Sequence, residues 1–551
     1  VSDAEASAQV SVLAAAGLLA DAARPAFAHP IVRQAILEAL PAGERATAHA
    51  AAARLLSEES EPAEHVAGHL LETPPIGEPW AFEALAVAGR KAVAIGDAEG
   101  GARLLRRALD EPAGSEARGR VLVALAGALT AGGDTGGAEE HLETALATLS
   151  DPADRARALL DAGRRLHLAG RFGDAVAAFA RGLDEPFGDA ELEQELLTSR
   201  AHAALWDPAG GTGALEDAVR TLREIGEPTT PDERAALAAL AGVSVLRGED
   251  LEGTLDIARR AWGNGALLDE LGPEHPGLYT VGPAFGFSAQ HDLADAVFLG
   301  AVREARRRGS VLAFASGMFG HGATSMYRGN VSDAVSALES ALDAQRYGWG
   351  QFVTGGLWVY VRSLIARGDL ATAERALALP AERERELAEG QNFSALLSAR
   401  GYLHMARGDA ASALPLFREA GRIALAMGAV NPVFFAWRPG LVAALVALGE
   451  RSQAREAAEE QLALTRRWGT STSLGWSTRD LASTYDGAER VELLEEAADF
   501  LRDSVGRLEY GVTLLFLGAA HFVEGRPEDA RTHLRGALDI ADAGGAHALA
   551  E

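Results

Sequence analysis

The stretch GRFGDAVAAFARGLDEP, Gly170 to Pro186, decides the fold because its pattern returns along the chain. A Gly and a polar residue lead to a small anchor residue, an apolar residue follows four positions later, and another small residue follows three after that. GDAEGGARLLRRALDEP (Gly96 to Pro112) and GDTGGAEEHLETALATL (Gly133 to Leu149) carry the same pattern. The anchors of the three copies are spaced 37 residues apart: Gly101, Ala138 and Ala175. A fixed step of this kind predicts an array of structural repeats.

Further copies continue the array, with anchors at Ala218, Gly253, Ala296, Ala334, Ala373, Ala413, Ala454 and Ala530 and a degenerate copy near Glu492. In each copy, Gly permits a tight turn, the small anchor lets two helices approach, and the apolar residue fills the gap between them. One hairpin cannot bury its apolar face alone, so neighbours stack. The pattern resembles the tetratricopeptide repeat. We therefore predict an all-α fold, a right-handed superhelix of about twelve tetratricopeptide-like helical hairpins.

Composition limits the function. The 551 residues include 78 acidic and 51 basic side chains, a net charge of −27. Phosphate backbones are bound by cations, so we do not expect this chain to bind DNA by itself. The absence of Cys excludes disulfides, thiolate metal sites and cysteine nucleophiles, and it is typical of a reducing compartment. No secretory signal or membrane-spanning run is visible, and we predict a cytoplasmic protein.

Residues 1 to about 60 lack the repeated pattern. The segment AGLLADAARPAFAHP predicts a small β-hairpin, and IVRQAILEAL and PAGERATAHAAAARLLSEE predict two helices separated at Pro41. Helices with a short hairpin favour a winged-helix-like unit. We therefore predict two domains, a winged-helix-like segment over 1–60 and the helical-repeat domain over 61–551.

A family resemblance rests on several phrases in a fixed order. FAHPIVRQAILEALPAGERATAHAAAARLL, EHVAGHLLETPP, RRRGSVLAFASG and NPVFFAWRPGLVAAL together resemble the large ATP-binding regulators of the LuxR family. In that family, a P-loop ATPase and a winged-helix domain precede a tetratricopeptide-like sensor, and a DNA-binding helix-turn-helix closes the chain. The resemblance implies that this chain is the sensor portion, with the end of the upstream switch module attached.

The chain lacks parts that the family has. No GxxxxGK[ST] occurs, and the single lysine, Lys91, lies in a helical repeat. No GxSxG or paired-carboxylate frame indicates a reaction, so we predict that the chain is not an enzyme. We expect no cofactor here, and ATP or ADP with Mg²⁺ only in the full-length protein. Val1 and the ending GGAHALAE suggest a portion of a longer chain, with DNA contacted only through a missing helix-turn-helix.

Two histidine positions invite a functional interpretation. The resemblance implies that His29, in FAHP, senses the nucleotide β-phosphate in the resting state, and the alternative is a packed or solvated His at a helix start. His65 and His69 lie four residues apart, a spacing that could hold a metal. Because no third ligand is indicated, we interpret them as structural and predict no metal site.

The segment from about Leu271 to Tyr360 combines Gly with aromatic residues and Met. We predict that it forms an apolar effector groove in the superhelix, lined by Phe285, Phe287, Phe314, Met318, Phe319, His321, Tyr327, Trp349, Phe352 and Trp358. Close helix packing, with aromatics filling the spaces, is the alternative.

Trp437 and Arg438 in FFAWRPG form a second candidate, because Trp and Arg are enriched in binding hot spots. We consider them as a partner surface, and alternatively as a core Trp beside an Arg that pairs with a carboxylate. The leading functional hypothesis is an effector- or partner-binding sensor that couples signal binding to an upstream ATPase module. A free-standing tetratricopeptide scaffold for protein partners is the alternative, and an α-helical hydrolase or metalloenzyme is the third.

Overall fold

The computed structural model describes residues 3–21, 26–131, 134–207, 226–248, 250–350, 352–390, 393–434 and 436–551. The anchor predicted at Ala218 and the first residue of the second copy, Gly133, lie outside these ranges. The chain divides into two compact units. The N-terminal unit comprises 1–93 and 99–125, and the C-terminal unit comprises 94–98 and 126–551. The predicted domain boundary near residue 60 stays a prediction.

The N-terminal unit begins with a helix and a two-stranded antiparallel ladder. Leu19 pairs with Phe27 in this ladder, which confirms the hairpin predicted for AGLLADAARPAFAHP. The two helices predicted after it are also present, over Pro30–Ala39 and Ala42–Glu58. The elements, the last of which continues into the C-terminal unit, are α1 (Asp3–Ala15), β1 (Leu19–Asp21), β2 (Ala26–Phe27), α2 (Pro30–Ala39), α3 (Ala42–Glu58), α4 (Ala63–Leu70), α5 (Pro79–Ala94), α6 (Ala98–Leu109) and α7 (Ser115–Ala131).

The C-terminal unit is built from successive helical hairpins in its described part. Its helices up to the middle of the unit are α8 (Thr135–Thr148), α9 (Pro152–Leu168), α10 (Phe172–Leu183), α11 (Ala190–Ala204), α12 (Pro231–Arg247), α13 (Leu251–Trp262), α14 (Ala266–Leu271), α15 (Leu278–Phe287), α16 (His291–Arg308), α17 (Val311–Arg328), α18 (Val331–Asp343) and α19 (Val353–Arg367). The remaining helices are α20 (Leu370–Leu377), α21 (Ala381–Gly390), α22 (Phe393–Ala406), α23 (Ala410–Ala426), α24 (Trp437–Ala447), α25 (Arg451–Trp468), α26 (Ser471–Ala482), α27 (Gly487–Arg502), α28 (Arg507–Val523), α29 (Pro527–Gly544) and α30 (His547–Ala550). The predicted all-α array of tetratricopeptide-like hairpins is confirmed. Within the described residues, no helix is long and apolar enough to cross a membrane.

The turns of the hairpins follow the repeated pattern. Eight described copies begin with GD, GN, GE or GR, and their leading glycines have φ between +62° and +89°. This is the left-handed region, in which a residue with a Cβ is strained. The glycines are Gly96, Gly170, Gly248, Gly329, Gly368, Gly408, Gly449 and Gly525. Where an Asp follows closely, as at Asp250, Asp369 and Asp409, its carboxylate accepts the backbone N–H three residues later at 2.9–3.1 Å. This N-cap starts the second helix of the hairpin.

The anchor predicted at Ala296 lies two residues too late. Ala296 is exposed, whereas Ala294 is fully buried and takes the position of the small anchor. The error arises because this copy has no leading glycine. Ala289 occupies that place with a φ of +61°, a conformation that residues other than glycine rarely adopt.

In six hairpins, the apolar residue four positions after the anchor, which we call the knob residue, packs on a glycine of the first helix of the same hairpin. A Cβ on that glycine would lie 2.4–2.9 Å from the knob side chain, so only glycine leaves room for it. The glycine stands 16 residues before the knob in every pair: Gly89 and Leu105, Gly163 and Phe179, Gly282 and Phe298, Gly322 and Leu338, Gly401 and Phe417, and Gly518 and Leu534. The predicted filling of the gap between helices by this apolar residue is therefore confirmed.

Two glycines of α15 provide a matched test of this packing. A Cβ at position 282 would lie 2.4 Å from the Phe298 ring, whereas a Cβ at 286 would meet nothing nearer than the Ala294 Cβ at 3.9 Å. We expect Gly282→Ala to destabilise the C-terminal unit by about 1–3 kcal/mol because the ring must shift. Gly286→Ala, one turn later, should be neutral or stabilise by up to about 1 kcal/mol. Urea denaturation measures both, and equal effects would contradict the knob packing.

Three histidines of the C-terminal unit have pKa values below the usual range. Burial lowers the pKa of His167 to about 3 and that of His202 to about 4, and it holds the pKa of His275 well below its usual value. His202 Nδ1 donates to the Thr198 carbonyl at 2.9 Å, and the two ring nitrogens of His167 have no partner in the described structure. All three rings are therefore neutral in the folded chain at pH 7.

This burial predicts the direction of the pH dependence. The unfolded chain takes up these protons near pH 6.5, whereas the folded chain takes them up only near pH 3–4 for His167 and His202. Stability is therefore complete above about pH 6.5 and falls with acidification, by about 2 kcal/mol per histidine at pH 5. His167→Leu should weaken the decrease in melting temperature between pH 7 and pH 5. An unchanged decrease would exclude His167 as a source.

Candidate functional site

The candidate site lies inside the C-terminal unit, where distant hairpins meet. The backbone N–H groups of Val430 and Asn431 both donate to the Leu246 carbonyl at 3.0 Å, and Asn431 Nδ2 donates to the Val245 carbonyl at 2.8 Å. These carbonyls belong to the last turn of α12, where a helix has no partners of its own. Trp468 Nε1 donates to the Phe287 carbonyl at 3.0 Å. The hairpins around Asn431 and Trp468 are thus joined by hydrogen bonds to α12 and α15, which lie more than 180 residues earlier in the chain.

The segment NPVFFAWRPG, which contributed to the family resemblance, provides this closure. Asn431 is 1% exposed and makes the contacts with α12. Trp437 and Arg438 are 7% and 4% exposed, and the Trp437 ring packs over Gly421. Arg438 lies 4.3 Å over the Trp437 ring and forms an ion pair with Glu460 at 3.7 Å. These contacts agree with the alternative interpretation, in which Trp437 is a core residue and Arg438 pairs with a carboxylate. The partner-surface role stays a prediction.

An aromatic cavity of about 120 Å³ lies beside this closure. We call it the apolar cavity, and its lining residues are Phe172, Trp206, Tyr279, Gly282, Pro283, Gly286, Phe287, Phe298, Phe319, Gly320, Ala323, Thr324, Tyr327, Phe352, Thr354, Gly355, Trp358, Val359 and Phe434. Its rings form a continuous cluster, since Phe319 stacks on Phe352 at 5.4 Å and Phe434 lies 5.1 Å from Phe287. Such contacts stabilise the wall beyond simple burial.

A second cavity, of about 240 Å³, shares part of that wall and is charged. We call it the polar cavity. Gly286, Phe287 and Tyr327 line both cavities. The polar cavity is further lined by Ala289, His291, Arg362, Tyr402, Pro432, Val433, Ala436, Pro439, Ala443, Thr470, Thr472, Ser473, Trp476, Arg479, Asp480, Glu509, Val512 and Phe516. An apolar chamber and a charged chamber thus adjoin each other.

The charged groups of the polar cavity come from three helices. Arg479 Nη1 of α26 lies 2.7 Å from Glu509 Oε2 of α28, and Arg362 Nη2 of α19 lies 3.7 Å from Glu509 Oε1. Burial opposes ionisation of Glu509, but the two guanidinium groups lower the pKa of its carboxyl. Burial raises the pKa of Asp480 to about 6 in spite of Arg479 and of the hydrogen bond from Gln461. Near neutral pH, Glu509 is therefore the firmly ionised carboxylate of the pair.

Tyrosine and histidine complete the polar groups. Burial raises the pKa of Tyr327, and it raises that of Tyr402 to about 12. Burial also lowers the pKa of His291 to about 4, so its ring is neutral. His291 Nδ1 is buried and has no hydrogen-bond partner in the described structure.

The predicted groove residues divide into two sets. Phe287, Phe319, Tyr327, Phe352 and Trp358 line the apolar cavity. The other five pack elsewhere in the same unit and line neither cavity: Phe285, Phe314, Met318, His321 and Trp349. Among these, His321 Nδ1 lies 2.8 Å from Asp295, and Trp349 Nε1 donates to Ser316 at 2.9 Å. Five of the predicted residues thus line a cavity and five fill spaces between helices, and the effector role stays a prediction.

Several lining residues were missed by the sequence analysis. Phe172, Trp206 and Phe434 come from hairpins far from the Gly-rich segment, and Arg362, Arg479 and Glu509 lie outside any motif. A signal for the tetratricopeptide-like packing was present, since in six hairpins a glycine 16 residues before the knob residue marks the first helix. No comparable signal marks which hairpins meet across the array.

The remaining predicted sites lie in the N-terminal unit. His29 is exposed and caps α2, because its Nδ1 accepts the Ile31 N–H at 3.2 Å, and its nucleotide-sensing role stays a prediction. His69 Nδ1 lies 2.9 Å from His49 Nδ1, and burial lowers the His69 pKa. His65 lies 3.6 Å from Glu61. Among the described residues, no group of three or more His, Cys, Asp or Glu is arranged to hold a metal ion.

Comparison with known proteins supports the fold. No protein-family profile matches the chain, and no curated protein matches it. Among solved structures, the Cut9–Hcn1 hetero-tetramer of APC/C aligns with a TM-score of 0.51 and 14% identity, over 90% of this chain and 91% of that chain. The Rap protein complexed with competence and sporulation factor aligns with a TM-score of 0.47 and 14% identity, over 72% of this chain and 100% of that chain. Yeast Tom70 gives a TM-score of 0.31 and 14% identity, over 84% and 92%. The alignment with Cut9–Hcn1 shows a shared helical-repeat fold.

Removal of the Asn431 side-chain amide tests the closure. We expect Asn431→Ala to destabilise the C-terminal unit by about 1–3 kcal/mol, because the buried Val245 carbonyl loses its side-chain donor. Asn330→Ala is the matched control, since Asn330 stands before α18 without a side-chain cap. Thermal unfolding followed by circular dichroism compares the two. Equal melting temperatures would argue against Asn431 as a stabilising contact.

Proposed function

We propose that this chain is the effector-binding helical-repeat domain of a LuxR-type ATP-dependent transcription regulator, and that it has no enzymatic activity of its own. The observation that carries the proposal is the aromatic cavity, which is lined by residues of hairpins far apart in sequence, from Phe172 to Phe434. An apolar chamber with a few polar groups at one side is typical of a small-molecule site.

The size of the cavity favours a small effector over a protein segment. A cavity of about 150 Å³ lined by apolar side chains binds benzene, and the apolar cavity here has about 120 Å³. Its walls are tied by hydrogen bonds between Asn431 and α12 and between Trp468 and Phe287. A helix or an extended peptide would require these contacts to open, whereas a ring or a short alkyl group would not.

The family resemblance supplies the proposed consequence of binding. The upstream ATPase module would hold ATP or ADP with Mg²⁺, with His29 near the nucleotide phosphate, and a helix-turn-helix beyond this chain would contact DNA. An effector shifts such a switch only if it binds the active arrangement more tightly than the resting one. The cavity suits that role because hairpins on its opposite sides are far apart in sequence.

A free-standing scaffold for protein partners is the second candidate. The observation that favours it is the exposed end of α28, where Phe522 is 70% and Val523 is 81% exposed. Exposed apolar residues that adjoin one another mark interaction surfaces. Sequencing the native open reading frame on both sides of the chain separates the two candidates. A P-loop upstream with a helix-turn-helix downstream supports the regulator, and the absence of both supports the scaffold.

Phe319→Ala tests the effector site in the intact protein. Loss of the Phe319 ring removes its stack with Phe352 and part of the cavity wall. We expect the response to inducer to be lost while ATPase activity remains. An unchanged response would count against this location of the site.

The isolated chain allows a direct binding measurement. Indole should raise the melting temperature of the unmodified chain in a concentration-dependent manner, because a ligand that binds only the folded state stabilises it. Ala323→Phe, which fills part of the apolar cavity, should remove this shift. Indole stabilisation of equal size in both proteins would place the binding elsewhere.

A further inference from the structure

The residues that line the two adjoining cavities limit the chemical class of the ligand. This inference rests on the proposed effector site. On α19, Trp358 lines the apolar cavity and Arg362, one turn later, lines the polar cavity. Phe287, Tyr327 and Gly286 are common to both linings. A single molecule can therefore contact both chambers along one wall.

Gly286 adds no side chain at the wall that the two cavities share. Among the described residues beyond its own helix backbone, a Cβ at this position would meet only the Ala294 Cβ within 4 Å, at 3.9 Å. The other glycines of the apolar wall differ, since a Cβ at Gly282 or Gly320 would lie 2.4 Å or 2.3 Å from the Phe298 ring, and a Cβ at Gly355 would lie 3.3 Å from the Phe319 ring. Space beside the backbone thus remains at the position that the two linings share.

Arg362 is held in place without a full complement of hydrogen bonds. Its guanidinium lies 4.7 Å from the Tyr402 ring and 5.5 Å from the Trp358 ring, which fixes its plane. Its one carboxylate neighbour in the described structure is Glu509 at 3.7 Å, beyond hydrogen-bond distance. Glu509 is engaged more closely by Arg479 at 2.7 Å. The N–H donors of Arg362 are therefore available to a ligand.

The polar cavity combines two arginines with two carboxylates and a buried histidine. Arg362 and Arg479 face Glu509, which is ionised, and Asp480, whose pKa burial raises to about 6. At pH 7 the two guanidinium groups are therefore balanced by Glu509 and largely by Asp480, and an excess of positive charge develops only as Asp480 takes up a proton below about pH 6. His291 is 5% exposed, and its unpartnered Nδ1 lies among the lining residues of the same cavity. In the tautomer that carries its proton on Nδ1, this nitrogen can donate a hydrogen bond to a ligand carboxylate.

We infer that the two cavities form one site for an amphipathic carboxylic acid, whose apolar body occupies the aromatic chamber and whose carboxylate pairs with Arg362. A guanidinium binds a carboxylate through two parallel N–H donors, which gives the interaction both strength and direction. The aromatic chamber selects a compact ring or short alkyl body, and the charged chamber selects the acid over the alcohol, the amide or the amine.

The test uses three probes with the same apolar body: 4-phenylbutyrate, 4-phenylbutyramide and 4-phenylbutylamine. Their dissociation constants for the unmodified chain are measured near neutral pH by ligand-observed NMR titration. We expect the carboxylate to bind about tenfold more tightly than the amide, and the amine to bind most weakly. Arg362→Gln should remove the preference for the carboxylate and leave amide binding unchanged.

Controls separate this inference from the effector site itself. Arg375→Gln, an exposed arginine on α20 that contacts Thr372, should retain the carboxylate preference. Gly286→Leu should weaken all three probes by closing the connection between the chambers. Equal binding of the three probes, or preference for the amine, while indole still binds, would overturn only the amphipathic-acid inference. Failure of indole and of every probe to bind would overturn the proposed effector site as well.

Discussion

The packing of one apolar side chain on one glycine is the contact on which the array depends. In hairpin after hairpin, the knob residue of the second helix fills the space that a missing Cβ leaves on the first, as Phe417 does over Gly401. Because the distance between the two helices is set by this contact, the same 16-residue separation yields the same hairpin along the chain. Repeats of constant geometry stack regularly, since each buries the face that its neighbour exposes.

The two cavities lie where contacts between distant hairpins are added to the regular packing of neighbours. The Gly-rich segment from about Leu271 to Tyr360 contributes aromatic rings. Hydrogen bonds from Asn431 to α12 and from Trp468 to the last residue of α15 bring distant parts of the C-terminal unit together. The cavities therefore have walls from several hairpins, and no single hairpin contains the site. A ligand that contacts Trp358, Phe434 and Glu509 at once would sense the relative positions of three parts of the array.

Local features could be predicted from the sequence, whereas long-range ones could not. The turn glycines, the knob residues and the N-terminal β-hairpin follow from short patterns whose physics is local, and the structure agrees with them. The prediction of Ala296 as an anchor was wrong because Ala289 replaces the leading glycine from which the anchor position is counted. Half of the predicted groove residues line the apolar cavity, because Gly-rich helices of one segment do adjoin it. Phe172, Trp206, Phe434 and the charged residues were missed because their meeting depends on contacts between hairpins far apart in sequence, which repeat periodicity does not encode.

The closure between distant hairpins also has a kinetic consequence. Helical hairpins form from contacts close in sequence and fold quickly, but Asn431 meets Val245 across 186 residues and Trp468 meets Phe287 across 181. Contacts of such separation form only after the chain between them is compact, because the entropy of the long loop opposes them. The cavities are therefore completed at the end of folding, when the first and last of these hairpins meet.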